Sequence, residues 1–244
     1  MFYTEKDRMN AVKQFLNEDF NLNSNLQDIL KLASDLYETP AAFITLIGEQ
    51  DQWYKVNYGF EVTQMPRSTS FCSHAILQDD TMVVPDAQKD ERFRDNPFIN
   101  NPPNIRFYAG APLSSAGGYN IGTICVMDVR PKTVSQEKKD QLKILARQAM
   151  HLMQLELTHR LLNEKMAHIE TQNKLLREIA FIQSHEFRGP VASLIGLMNQ
   201  IKEEEYESPK AYLQMMEKVV SKLDEKILLV VKSTESAKNV FAHV

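Results

Sequence analysis

The chain of 244 residues carries 28 Lys and Arg against 32 Asp and Glu, a net charge of -4. That balance argues against a nucleic-acid partner, because such proteins carry a basic excess. With 43% apolar and 25% charged residues and no apolar run long enough for a membrane span, the composition is that of a soluble globular protein of one large domain or two small ones.

The opening stretch MFYTEKDRMN places charges where a secretory signal needs an apolar run, so a cytoplasmic protein is expected. Leu26, Ile29, Leu30, Leu32, Ala33 and Leu36 form a helical stripe that Pro40 ends. Ala41–Ile47 reads as a buried strand and Gln52–Tyr58 as its hairpin partner. Thr69–Leu77 reads as a short helix and Thr81–Val84 as a short strand. Arg106–Pro112 and Asn120–Asp128 read as two further strands around the turn Ala116-Gly117-Gly118. The order predicts an α+β layered domain with a largely antiparallel sheet.

Six of the eight glycines lie between residues 48 and 122, so the turn-rich part is confined to roughly the first half and the remainder is built for long helices. From Leu145 a three-four spacing runs through Gln148, Leu152, Leu155, His159, Leu162, Met166, Ile169, Asn173 and Leu176, as in a coiled-coil seam with a polar position at Asn173. The stripe changes phase near Leu175, Ile179 and Ile182. Glu207-Ser208-Pro209 reads as a turn, and a second stripe follows through Leu213, Met216, Val220, Leu223, Ile227, Val230 and Thr234. Two striped helices joined by a turn form a hairpin whose apolar faces need cover. Two hairpins supply it as a four-helix bundle, so a homodimer is expected. The boundaries predicted are a helical lead over 1–21, a first domain over 22–155, a coiled-coil helix over 156–178 and the hairpin over 179–240.

Within the helical half, Gln183–Leu197 (QSHEFRGPVASLIGL) sets His185 and Glu186 into an apolar pattern, with Pro190 five residues after the His. An interior Pro removes a helical hydrogen bond at a cost of about 3 kcal/mol, and such a cost beside a titratable pair points to function. The segment resembles the phosphoacceptor box of sensor histidine kinases, S-H-E-[LF]-R-x-P-[LV], over about residues 160–238 with the hairpin. The resemblance implies that His185 accepts a phosphoryl group and that Glu186 orients the ring or takes its proton. It implies that Arg188 neutralises phosphate charge or pairs with Glu186, and that Pro190 bends the helix. Gly189 stands where that family often has Thr or Asn to place a water for dephosphorylation, a departure from the pattern needed for phosphatase activity. No N-box and no DxGxG-type motif is found in this sequence. The phosphoryl group is therefore expected from a separate kinase or a response-regulator receiver domain, not from autonomous kinase activity; a truncated kinase is the other explanation.

The first half resembles a GAF domain over about residues 22–155. The matching stretches are FITLIGEQDQWYKVNYGF, RSTSFCSHAILQDDTMVVPDAQKDERFRDNP, IRFYAGAPL and IGTICVMDVRP. The resemblance implies a small-molecule or partner pocket over the sheet and names no ligand. Candidate pocket residues are Phe71, Cys72, His74, Arg67 and Tyr108, with Asp86 and Arg92 nearby. No cyclic-nucleotide NKxxxFxxxDE signature is present, and the Cys lies outside a bilin-attachment motif. Two cysteines are too few for a disulfide framework or a structural zinc site, so no metal is expected. Cys125 reads as a buried strand cysteine, and Trp53 and Tyr54 as core packing. The acidic clusters Asp79-Asp80 and Glu203-Glu204-Glu205 read as solvated surface.

The expectation is a two-component signalling protein: a GAF sensor controlling a hairpin that receives or relays a phosphoryl group on His185. The alternative is a non-catalytic dimeric adaptor that regulates a partner kinase. A thiol-dependent reductase using Cys72 is a third reading, and it meets no resolving-cysteine pattern in the sequence.

Overall fold

The computed structural model describes residues 4–20, 23–203 and 210–241, with the side chains of 182–184 and 231–241 outside that description. The expected turn at Glu207-Ser208-Pro209 and the side chains of Ile182 and Thr234 therefore lie outside the described residues. The chain divides into two compact units, one ending at Leu161 and one starting at Leu162.

The first unit opens with helix α1, Glu5–Leu16, closed at its start by a capping box between Thr4 and Asp7. Helix α2, Ser24–Tyr37, is capped by the Asn23 side chain. Strands β1, Ala41–Ile47, and β2, Asp51–Tyr58, follow as a hairpin. The short strand β3, Gln64–Pro66, was not expected from sequence. It pairs with β2 only, at the sheet edge where Pro66 is tolerated. The expected helix over 69–77 resolves into a 3-10 turn at Arg67–Thr69 and helix α3, Cys72–Ala75. Strand β4, Met82–Val84, helix α4, Pro97–Asn100, and strands β5, Phe107–Ser114, and β6, Asn120–Asp128, complete the sheet region. The six strands lie in the order β3-β2-β1-β6-β5-β4, and every neighbouring pair is antiparallel.

Both faces of this sheet are covered, which explains why β1 and β6 are buried at every position rather than alternating. On one face Ala42, Ile44, Leu46, Phe107, Ala109 and Val126 pack against Val12 and Phe15 of α1 and Leu26, Leu30 and Ala33 of α2. Helix α5, Gln136–Glu186, supplies Leu142, Ala146, Ala149, Met153 and Leu157 to the same cluster. On the other face Phe43, Ile47, Tyr108, Cys125 and Met127 pack against Phe71, Cys72 and Ala75 beside Phe93 and Ile99. Helix α1 and Leu157 are thus parts of the first unit's core, beyond the expected limits of 22 and 155.

In the second unit, α5 ends at Glu186 and Phe187 interrupts the helix. Helix α6, Arg188–Glu203, restarts at once, and helix α7, Lys210–Phe241, packs against it. Pro190 falls in the first turn of α6, where a backbone N–H has no intrahelical acceptor and Pro costs little. The expected seam divides along its length. Leu145 and Leu152 are partly buried against the first unit's core, whereas Leu155, Leu162, Met166, Ile169 and Leu176 are exposed. Before Leu161 the buried stripe of the helix runs through Leu142, Ala146, Ala149, Met153 and Leu157, and the seam positions Leu145 and Leu152 lie at its edge.

Candidate functional site: an apolar cavity and an exposed histidine

A cavity of about 350 Å³ opens on the α3 side of the sheet in the first unit. Its walls come from β1 (Ala41, Phe43), β2 (Gln52, Tyr54), the segment around β3 (Phe60, Val62, Met65), α3 (Cys72), the α4 region (Phe98, Pro103, Ile105) and the end of β6 (Met127). Period-two alternation creates it: Phe43 and Met127 point to the α3 face while Ile44 and Val126 fill the opposite core. The lining is overwhelmingly apolar, with a few polar groups. Gln52 accepts a hydrogen bond from the Ser70 hydroxyl. Its Nε2 is buried with no hydrogen-bond partner among the described residues. Tyr54 stacks edge-on against Phe43 at 5.1 Å and donates its hydroxyl to the Met65 sulfur at 3.0 Å. Burial, with the two cysteines nearby, pushes the Tyr54 hydroxyl pKa up, so it stays protonated. Glu61 and Asp128 also belong to the lining, Asp128 paired with Lys132 at 3.3 Å, so the compartment is mostly apolar with carboxylates among its walls, and its size suits a small molecule.

Of the pocket residues expected from sequence, Phe71 and Cys72 line the cavity. The other three are placed elsewhere. Tyr108 is fully buried beneath the lining, its ring stacked on Phe71 at 5.2 Å and its hydroxyl 3.4 Å from Cys72 Sγ. His74 turns to Phe93, edge to face at 4.9 Å. Burial and the nearby Arg92 lower its pKa. Arg67 is a structural latch, donating to Glu5 at 2.7 Å and to the Gly48 carbonyl at 2.7 Å. The nearby candidates are latches too: Asp86 pairs with Arg106 at 2.7 Å, and Arg92 pairs with Asp90 while lying over the Phe93 ring. Arginines beside carboxylates within one domain satisfy each other, which a one-dimensional reading cannot see. Gln52, Tyr54, Met65 and Met127 were missed for the opposite reason: on a strand they read as ordinary packing.

Cys125, expected as a bland strand cysteine, is fully buried, but its sulfur lies 3.7 Å from that of Cys72. Fifty-three positions separate the two thiols in sequence, so no local pattern marks the pair. Thr45 and Thr123 Oγ1 atoms, 3.0 Å apart, join them through the hydroxyl network beneath the cavity.

In the second unit, His185 is exposed in the last turn of α5, its ring against Phe181 at 4.6 Å. Glu186 is tied to α7, where Lys226 Nζ lies 3.1 Å from its carboxylate and also donates to its backbone carbonyl at 3.4 Å. Arg188 is exposed at the start of α6. Among the described residues Glu186 pairs with Lys226 of α7 and not with Arg188, the alternative partner the resemblance implied. The interruption at Phe187 leaves His185 exposed at the end of α5.

A family model for the GAF domain matches residues 21–152. A cyclic di-GMP phosphodiesterase of Pseudomonas aeruginosa is 45% identical over 106 residues, which is 43% of this chain and 18% of that protein. The chain therefore spans under a fifth of that relative's length. Among solved structures, the bacteriophytochrome RpBphP3 of R. palustris aligns over 73% of this chain and 43% of its own, with a TM-score of 0.50 at 10% identity. The GAF domain of an Acinetobacter phosphoenolpyruvate-protein phosphotransferase aligns over 67% of this chain and 99% of its own, with a TM-score of 0.46 at 18% identity. No helix among the described residues is long and apolar enough to cross a membrane. The sandwiched antiparallel sheet, the cavity on its α3 side and the family match together make this chain a member of the GAF domain family.

Proposed function

We propose that this chain is a cytoplasmic, dimeric two-component signalling protein. In it the GAF domain senses a small apolar molecule, and the hairpin of α6 and α7 with the end of α5 receives or relays a phosphoryl group on His185. The observation that carries the reading is an exposed His185 at a helix interruption, followed by Glu186 held to the facing helix by Lys226. Phosphoryl transfer asks mainly for positioning and charge stabilisation. A ring nitrogen in reach of a partner, a carboxylate of fixed orientation and a nearby Arg188 supply those. The cavity supports a mostly apolar ligand of matching volume, with an acceptor for the buried amide of Gln52 and its polar end toward Glu61 and Asp128. The donor or acceptor of the phosphoryl group is a separate kinase or a response-regulator receiver domain.

A second reading keeps the architecture and drops the chemistry: a non-catalytic dimeric adaptor that regulates a partner kinase. Gly189, in place of a water-positioning residue, speaks against phosphatase activity in either reading. Acid-labile, base-stable phosphate, sought by mass spectrometry on protein from its own cells, separates the two. Phosphate on His185 that disappears in His185→Gln is the expected result. An unphosphorylated His185 across growth conditions, with dimers intact and His185→Gln fully functional, overturns the relay in favour of the adaptor.

A further inference from the structure

We propose that Cys72 and Cys125 form a redox-active dithiol that closes to an intramolecular disulfide when a hydroperoxide enters the apolar cavity. Both thiols are free and buried, their sulfurs are 3.7 Å apart, and Cys72 is a wall of the cavity whereas Cys125 lies behind it. Access is thus ordered: an oxidant in the cavity meets Cys72 first, and Cys125 is the resolving thiol in contact with it. A disulfide requires sulfurs about 2.05 Å apart, so one of the elements must move by less than the width of an atom. Cys125 is fixed in the middle of β6, paired on both sides. Cys72 begins the four-residue helix α3, set between a 3-10 turn and the loop before β4, so α3 is the element free to give.

The surroundings favour thiolate at Cys72 over Cys125. Burial opposes ionisation of Cys72, but hydrogen bonds from Cys125, Thr123, Tyr108 and Thr45 outweigh it and lower its pKa to about 6. Burial and the neighbouring Cys72 raise that of Cys125. The Tyr108 hydroxyl reaches Cys72 because Gly110 lacks a Cβ; one there would lie 2.1 Å from that hydroxyl.

The chemistry balances with the hydroperoxide as oxidant. The Cys72 thiolate attacks the terminal peroxide oxygen, the O–O bond breaks, and Cys72 becomes a sulfenic acid; the departing alkoxide (hydroxide, from hydrogen peroxide) takes up the proton that Cys72 gave up on ionising and leaves as the alcohol or water. Cys125 sulfur attacks the Cys72 sulfur. The S–S bond forms, the S–O bond breaks, and the departing hydroxide takes the Cys125 proton as water. Two thiols are oxidised and one peroxide is reduced. The product ties α3 to β6 and redraws one wall of the cavity, giving the domain a redox input that does not depend on His185 or on any bound ligand.

The test is titration of the reduced full chain with hydrogen peroxide and with cumene hydroperoxide, followed by alkylation, intact mass and peptide mapping without reductant. The expected product has lost the mass of two hydrogen atoms, resists alkylation, reverts with dithiothreitol and maps to a Cys72–Cys125 crosslink within one chain. Cys125→Ala is expected to stop at a Cys72 sulfenic acid that dimedone traps. Cys72→Ala is expected to keep Cys125 reduced at the same dose, and Tyr108→Phe to slow crosslinking while circular dichroism stays unchanged. The proposal is overturned if the wild-type chain, native by circular dichroism, keeps both thiols, passes to sulfinic acid without a crosslink, or crosslinks only between chains. The wild-type result decides even if a cysteine variant fails to fold.

Discussion

Arg8 is 3% exposed, and a buried guanidinium persists only when its donors are met. It donates to the Ile47 carbonyl at 2.6 Å and the Gly48 carbonyl at 3.3 Å, and makes a two-point pair with Glu5. Glu5 also receives Arg67. One carboxylate therefore locks the first helix to the β1–β2 turn. Hydrogen bonding from Arg8, partly opposed by burial and reinforced by Arg67, lowers the Glu5 pKa from 4.5 to about 2. A depressed folded-state value stabilises the fold above the unfolded value and is lost as pH falls through the folded one. Glu5→Gln is therefore expected to lower stability at pH 7, and the gap to wild type to close between pH 4.5 and about 2. Because Glu5 is half exposed and screened, the gap is on the order of 1 kcal/mol. Urea denaturation of both proteins across that range checks this; a gap of equal size at pH 7 and pH 2 would contradict it.

Among the elements, the adjacent central strands β1 and β6 contribute side chains to the cores on both faces of the sheet. Gly122 sits opposite Leu46 in that pairing, and a Cβ there would lie 1.8 Å from the Thr45 carbonyl oxygen. The obstacle is backbone in the centre of the sheet, which cannot swing aside as a side chain does. Gly122→Ala is expected to cost about 1–3 kcal/mol, as overpacking does, with a lower midpoint in chemical denaturation. Gly118→Ala meets nothing within 4 Å, so its cost comes from positive φ alone. An unchanged midpoint in Gly122→Ala would show that the strands separate more easily than the register implies.

For the whole molecule, the question is what covers the helical stripes. Leu162, Met166, Ile169 and Leu176 on α5, Ile195 and Met198 on α6, and Leu213 and Val220 on α7 are each more than half exposed. Exposed apolar rows of this kind are a common feature of interaction surfaces, and in the proposed dimer a second copy of this chain covers them. Leu162→Asp is expected to convert a dimer to a monomer in sedimentation equilibrium, with helix content retained in the first unit. A wild-type chain that sediments as a monomer at micromolar concentration removes the dimer from the proposed mechanism.

Sequence by itself determined the strands Ala41–Ile47 and Asn120–Asp128 to the residue, because each is a continuous β-rich run between turn signals. It also determined the change from turn-rich to helix-rich chain, since local periodicity and punctuation carry that information, while the GAF resemblance rests on the matching stretches themselves and not on periodicity. It left β3 unseen, because three residues on an edge hold too little pattern, and it did not show that α1 and Leu157 join the core of the first unit. Only the tertiary structure decided which polar residues meet a cavity and which latch one another. Arg67 and Asp86 resemble pocket residues in a sequence, yet their charges are satisfied by Glu5 and Arg106. Only the fold, too, brings Cys72 and Cys125 into contact across fifty-three positions. Pairing of a helix residue with a strand residue depends on how an antiparallel sheet returns the chain, and no spacing along the chain encodes that distance.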